Sequence, residues 1–239
     1  MIDELAVRSA TISSELIASL FPPGVTASER REPGNPGMLL EAEAAASRSF
    51  APKRVAEFSA GRDCARHALR ALGCGDVAIP RRTDRRPEWP IGFVGSITHT
   101  IGFCGAVAAS AASIAALGID AELSGRLTSD MWSHLFVDRE MKALLELAPR
   151  LRERTAAVMF GAKEAFYKCQ SPRTGMWIDF DEVAVDVRFA NESVGSFALR
   201  LESDACIARF GACDLRGNFR FEDDLVVTGM HVEIGAPGW

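Results

Sequence analysis

The order of patterns along the chain predicts an α+β fold of two similar lobes. Each lobe is expected to be a long helix packed on a small, mainly antiparallel sheet. Two observations carry this: a helical pattern over 52–72 precedes two short apolar runs, at 95–109 and 113–122, and a second over 155–170 precedes strand-like segments at 183–189, 196–201, 219–221 and 225–234. Helix-then-strands therefore occurs twice, which suggests a pseudo-two-fold arrangement, although no internal sequence repeat accompanies it. The halves divide as 1–115 and 116–239, and a cleft between them is the natural place for a site.

Taken in order, residues 12–21 form an apolar segment and 22–37 a loop rich in proline, glycine and charge, followed by an Ala/Glu-rich stretch that favours helix. In the first long helix Pro52 suits the opening turn, Val55, Phe58, Cys64, Ala65, Ala68, Leu69 and Leu72 give an apolar side, and Gly73 can close it. The runs 95–109 and 113–122 read as neighbouring buried strands with Ala111-Ala112 at the turn. The remaining strands follow the second helix as an antiparallel set.

With 239 residues, 48% hydrophobic and 25% charged, the chain has the composition of a soluble globular protein. The opening Met1-Ile2-Asp3-Glu4 lacks the basic start of a signal peptide, and no window approaches eighteen apolar residues, so a cytoplasmic enzyme with no membrane partner is expected, as a monomer. Six cysteines without a C-x-x-C pair read as reduced, buried thiols and not as a zinc site. A net charge of −5 argues against nucleic acid as a partner, but Arg81, Arg82, Arg85 and Arg86 form a local basic loop.

Three stretches carry candidate chemistry. Asp120 and Glu122, two apart on a strand, point to the same side of the sheet and can hold one cation between them. The plain alternative is an exposed strand face, but the apolar run before them makes two carboxylates costly there unless solvated or paired with a cation. Hard oxygen ligands favour Mg²⁺. On the second helix Phe160, Glu164 and Lys168 share one side; Glu164 and Lys168 can be a simple i,i+4 salt bridge, or a base or third metal ligand with a phosphate clamp. Before His99, Gly92 and Gly95 allow close backbone approach and Ser96 and Thr98 add hydroxyls, as a phosphate contact requires. Arg54 and Arg62, about 12 Å apart along the first helix axis, are either solvated surface or, with the basic loop, a grip on a terminal phosphate.

In combination these stretches resemble the Sfp/EntD-type 4'-phosphopantetheinyl transferases. The chain carries W-P-x-G-x-x-G-S-x-T-H at 89–99, G-I-D-x-E at 118–122 and F-x-x-K-E-A-x-Y-K at 160–168, with E-F-x-x-x-R-x-C-A-R-x-A-L upstream at 57–69. The resemblance implies the two-lobed fold of that family and transfer of phosphopantetheine from coenzyme A to a serine of an apo acyl or peptidyl carrier protein. It implies release of 3',5'-ADP and a requirement for Mg²⁺. By motif position it makes Asp120, Glu122 and Glu164 the metal-site carboxylates, with Glu164 also the base for the carrier serine. His99 and Lys168 would hold the pyrophosphate, and Arg54, Arg62 and Arg81 the 3'-phosphate end. Ser96, Thr98 and Lys163 join the expected coenzyme A contacts. Phe160, Tyr167 and Trp177 either line the pantetheine channel or are plain core. Ala121 stands where some relatives have a polar residue, and Arg81 where lysine is common.

Two rival readings use the same residues. One is a magnesium-dependent phosphohydrolase or nucleotidyl transferase built on Asp120, Glu122 and Glu164. The other is a non-catalytic nucleotide or nucleic-acid binding module built on the arginine loop, which needs neither Mg²⁺ nor Glu164 and binds with strong salt dependence.

Overall fold

The computed structural model describes residues 15–239; the opening residues 1–4 and the first part of the apolar segment, 12–14, lie outside them. The elements run α1 (Glu15–Ala18), β1 (Val25–Arg30), α2 (Glu41–Ser47), α3 (Pro52–Ala71), β2 (Phe93–Thr100), β3 (Phe103–Ser110) and β4 (Ile114–Leu123). They continue α4 (Trp132–Leu135), α5 (Asp138–Glu146), α6 (Pro149–Thr174), β5 (Val183–Phe189), β6 (Val194–Leu201), α7 (Asp204–Phe210), β7 (Arg216–Glu222) and β8 (Leu225–Glu233). The order is α+β, with two antiparallel sheets, β1-β3-β2 and β4-β8-β7-β6-β5. Each sheet carries one long helix: α3 lies on the first and α6 on the second.

Local chemistry accounts for both helices. Pro52 opens α3, and Gly73 (φ +79°) turns the chain away just after it. Pro149 opens α6, and Gly175, left-handed at φ +66°, donates its N–H to Ser171 O to close it. This helix is longer than the expected 155–170 at both ends. Apolar clusters form under α3 around Ala65, Leu69 and Ala106, and under α6 around Phe166, Phe197 and Phe219. A third, around Ile17, Leu117 and Val227, joins α1, β4 and β8.

Three expectations are corrected. The run 95–109 is a hairpin of β2 and β3, because Gly102 (φ +71°) allows the chain to reverse where an unbroken apolar stretch gave no other signal. β4 follows β3 in sequence but pairs with β8 in the other sheet. And 25–30, read as loop, is the strand β1, held by its ladder to β3 from Val25↔Ala109 to Arg30↔Cys104. Among the described residues no helix is long and apolar enough to cross a membrane.

What brings the chemistry together is the near contact of α6 with β4 and β8. A Cβ built on Gly118 would stand 1.9 Å from Ala165 O, and one on Gly161 would stand 3.0 Å from Thr228 Oγ1 and 3.5 Å from Asp120 Oδ2. The missing side chains let the helix backbone lie directly on the strands. Gly118→Ala therefore forces α6 off β4 and is expected to lower stability by about 1–3 kcal/mol. In urea denaturation this is a lower midpoint; an unchanged midpoint would show that the helix yields without strain.

Candidate active site

A cleft of about 780 Å³ collects residues of α3, the 81–87 loop, β2, β4 and α6, within the size range of small-molecule sites. One group of lining residues is acidic. Asp120 is buried on β4; its Oδ1 accepts from Lys168 Nζ at 2.6 Å and Thr98 Oγ1 at 3.2 Å, while Oδ2 is buried without a partner. Burial, then the neighbouring Asp120 charge, pushes the Glu122 carboxyl up to about 7. Burial likewise raises Glu164, against the lowering influence of Lys168. Burial alone would lower Lys168, but the charge and hydrogen bond of Asp120, with Glu164 and Glu122, raise it and hold it as a cation. An orphaned buried oxygen beside reluctant carboxylates is a fitting donor set for a hard divalent cation. Among the described residues, however, Asp120, Glu122 and Glu164 are not drawn into a three-ligand cluster. The protein thus offers the one or two carboxylates that Mg²⁺ ordinarily takes when phosphates complete its shell.

A second group of lining residues is mainly basic. Arg54 Nη1 reaches His99 Nε2, and the same Nη1 meets Glu57 Oε2 at 3.1 Å. Burial, aided by Arg54 and Lys168, lowers the His99 imidazole and so favours its neutral form. Arg62 is buried: Nε donates to Ile79 O at 2.6 Å, its guanidinium lies 4.0 Å from the Phe58 ring centroid, and burial lowers it to about 10, still a cation. Arg81 stacks over Phe50. Its loop is closed by an Arg81↔Pro87 bridge and organised by Asp84, which the Arg86 hydrogen bonds hold down at about 2. Arg86 also donates to Ser171 O of α6. Asp84 is a lining residue that sequence reasoning missed, and an aspartate between two arginine pairs was the available signal for it; Phe50 supports Arg81 without lining the cleft.

Models of two families match the chain: the 4'-phosphopantetheinyl transferase N-terminal domain over residues 41–109, and the 4'-phosphopantetheinyl transferase superfamily over residues 116–221. The chain is 37% identical over 203 residues to the 4'-phosphopantetheinyl transferase Svp of Streptomyces mobaraensis, covering 84% of this chain and 81% of that protein. To the 4'-phosphopantetheinyl transferase PptT of Mycobacterium tuberculosis it is 32% identical over 232 residues, 94% of this chain and 96% of the relative. The chain belongs to the 4'-phosphopantetheinyl transferase superfamily. Enterobactin synthase component D of Salmonella typhi is 34% identical over 128 residues, 53% of this chain and 52% of that protein. This phosphopantetheinyl transferase is thus an enzyme of the holo-acyl-carrier-protein synthase type.

Within the transferase, the expected residues Arg54, Arg62, Arg81, Ser96, Thr98, His99, Asp120, Glu122, Phe160, Glu164, Tyr167, Lys168 and Trp177 all line the one cleft. Ser96 and Thr98 hold β2 to β4 as well: Ser96 Oγ accepts from Ile119 N at 3.1 Å, and Thr98 donates to Asp120. Phe160 packs on Phe180, and Tyr167 meets Trp177 edge-on with centroids 5.5 Å apart. Lys163 is the exception and a correction. Its ammonium donates to Leu135 O at 2.8 Å, Glu140 Oε2 at 2.7 Å and Phe180 O at 2.7 Å. All three donors are taken, so none is left for a phosphate. One residue along a helix is a rotation of about 100°, which turns Lys163 into the core where Glu164 faces the cleft.

The raised Glu122 gives this transferase a pH signature. Its folded value, about 7, lies above the ordinary 4.5, so the folded protein holds this proton more tightly than the unfolded chain. The stability it contributes is fully present below about pH 4.5 and is lost as pH rises through about 7. The metal-free protein is expected to lose melting temperature between about pH 4.5 and 7, and Glu122→Gln to flatten that loss. Equal slopes in calorimetric scans of the two proteins would place the proton elsewhere.

Proposed function

We propose that this enzyme transfers the 4'-phosphopantetheine group of coenzyme A to a serine of an apo acyl or peptidyl carrier protein, with Mg²⁺, releasing 3',5'-ADP. The site is the cleft between lobes 1–115 and 116–239. The observation that carries the reading is the make-up of that cleft, where Arg54, Arg62, Arg81 and His99 share one lining with Asp120, Glu122, Glu164 and Lys168. A nucleotide with a terminal phosphate, a pyrophosphate and a reacting phosphorus calls for both kinds of group, cations for the phosphates and carboxylates for a metal and a base.

A serine hydroxyl is a poor nucleophile at its free pKa and needs a base. Glu164, its carboxyl raised by burial, is poised to accept the serine proton as the serine oxygen bonds to the phosphorus of the pantetheine phosphate. The bond to the bridging pyrophosphate oxygen breaks, and the electron pair leaves with 3',5'-ADP. Lys168 donates to the pyrophosphate oxygens beside His99, and the arginines bind the 3'-phosphate. Asp120 and Glu122 would hold Mg²⁺, which when bound neutralises the charge building on the leaving nucleotide. Such catalysis is mostly positioning and electrostatics. Phe160, Tyr167 and Trp177 form the wall for the pantetheine arm. The relatives' names fix the transferase class; the carrier is read from the chemistry a serine-directed phosphoryl transfer requires.

Mass spectrometry of an apo carrier protein incubated with coenzyme A, Mg²⁺ and the enzyme tests the reading directly. A mass gain of one phosphopantetheine, with 3',5'-ADP released only when carrier is present, is expected; nucleotide release without carrier would favour a hydrolase. Glu164→Gln keeps coenzyme A binding and lowers turnover by roughly 10² to 10⁴, and Asp120→Ala abolishes transfer in a folded protein. Wild-type rates in either would refute its role.

The arginines are tested separately. The wild-type enzyme is expected to bind coenzyme A better than dephospho-coenzyme A. Arg54→Ala or Arg81→Ala should weaken only the former, by roughly 1.5–3 kcal/mol per lost charge-assisted contact. Equal calorimetric affinities for the two ligands in the wild type would return these arginines to the solvated surface.

A further inference from the structure

After α6 the chain runs back along its own helix as a short segment, 176–180, before entering β5. Two polar side chains of α6 pin it at both ends. Gln170 Nε2 donates to Met176 O at 3.0 Å, and Lys163 Nζ donates to Phe180 O at 2.7 Å. Gln170 is 0% exposed and Lys163 4%. Seven residues apart, they lie on one side of the helix about 10.5 Å from each other along its axis, within the reach of the segment between its pinned carbonyls. Thr174 Oγ1 donates to Gln170 Oε1, which fixes which end of the amide faces Met176.

Solvent satisfies the carbonyls of an ordinary surface loop. Committing a buried amide and a buried ammonium to one carries a desolvation cost that calls for a reason. Neither side chain lines the cleft, but what lies between the pins does. Trp177, 71% exposed, stands edge-on to Tyr167, and its Nε1 donates to Asp179 Oδ1 at 2.8 Å, so the indole is oriented from within the segment. Behind it a pocket of about 170 Å³ reaches Glu164.

We infer that Gln170 and Lys163 are positioning residues that pin segment 176–180 to α6 and so hold Trp177 against Tyr167 as a rigid wall for the non-nucleotide arm of the substrate. The inference rests on the reading of the cleft as a coenzyme A site. Its consequence is selective: the pins govern affinity for the arm and leave the nucleotide end untouched.

Calorimetry on the full chain with coenzyme A and with 3',5'-ADP tests this. Gln170→Met is expected to weaken coenzyme A binding roughly tenfold and to leave 3',5'-ADP binding within about twofold. Trp177→Ala should do the same, and Gln170→Met should add nothing in the Trp177→Ala background, because the two act through one wall. Equal loss for both ligands, or additive losses in the double variant, would overturn the inference and mark Gln170 as a general fold residue. Should Gln170→Met not fold, Thr174→Val, which releases the amide from its orienting hydroxyl, carries the same comparison. A wild-type protein that binds 3',5'-ADP no worse than coenzyme A also overturns it, since the arm then meets no wall. One that binds neither ligand sinks the coenzyme A reading itself.

Discussion

The backbone of α6 lies on β4 and β8 without intervening side chains at Gly118 and Gly161, and the site depends on that approach. Helix residues four apart share a face, so once the helix is seated, Phe160, Glu164 and Lys168 form a row over the strand that carries Asp120 and Glu122. The 2.6 Å contact of Lys168 with Asp120 is a consequence of this seating. A side chain at Gly118 would push the row away from the strand, whereas one at Gly161 would need Thr228 to give by a few tenths of an ångström.

Such an arrangement gathers like charge in a buried place. Asp120 is stabilised by Lys168 and Thr98, whereas Glu122 and Glu164 are both driven toward their neutral forms by burial and by Asp120. One ammonium does not balance three carboxylates. The imbalance makes this region less stable than an apolar packing of the same shape; on the proposed function, a cation arriving with phosphates would offset it. Among the basic lining residues, Arg62 is desolvated but set over Phe58 and fixed by Ile79 O, so a buried guanidinium stays charged and oriented.

Much of this was legible in the sequence. The first long helix announces itself with a proline at the start, an apolar side and a glycine after the end; the second reads as helix only over 155–170, short of Pro149 and Gly175. Strands β5 and β6 alternate plainly, whereas β8 is buried on both faces. Most of the cleft residues lie in three motif stretches, where strand period two and helix period four decide which side chains can meet, while Arg54, Arg62, Arg81 and Trp177 lie outside them and are read from the first helix, the basic loop and the family resemblance. What was not legible depends on distant partners. The strand Val25–Arg30 has no pattern of its own and exists through its ladder to β3. The pairing of β4 with β8 joins segments about a hundred residues apart, and no local signal fixes it.

Lys163 shows where motif reading and geometry part. Adjacent to Glu164, it invites assignment to the same site, yet neighbouring helix positions face different ways and the core-ward one must find partners inside. Glu140, at the start of α5, is that partner: its Oε2 takes the Lys163 ammonium and the Val137 N–H, and its Oε1 takes Val185 N. One buried ion pair thereby ties α5, α6 and β5 together. Removing either member would leave an uncompensated charge in the core, which is a reason for both to persist that owes nothing to phosphate. A lysine beside a cleft carboxylate can thus be indispensable without facing the cleft, through the elements it fixes around its neighbour.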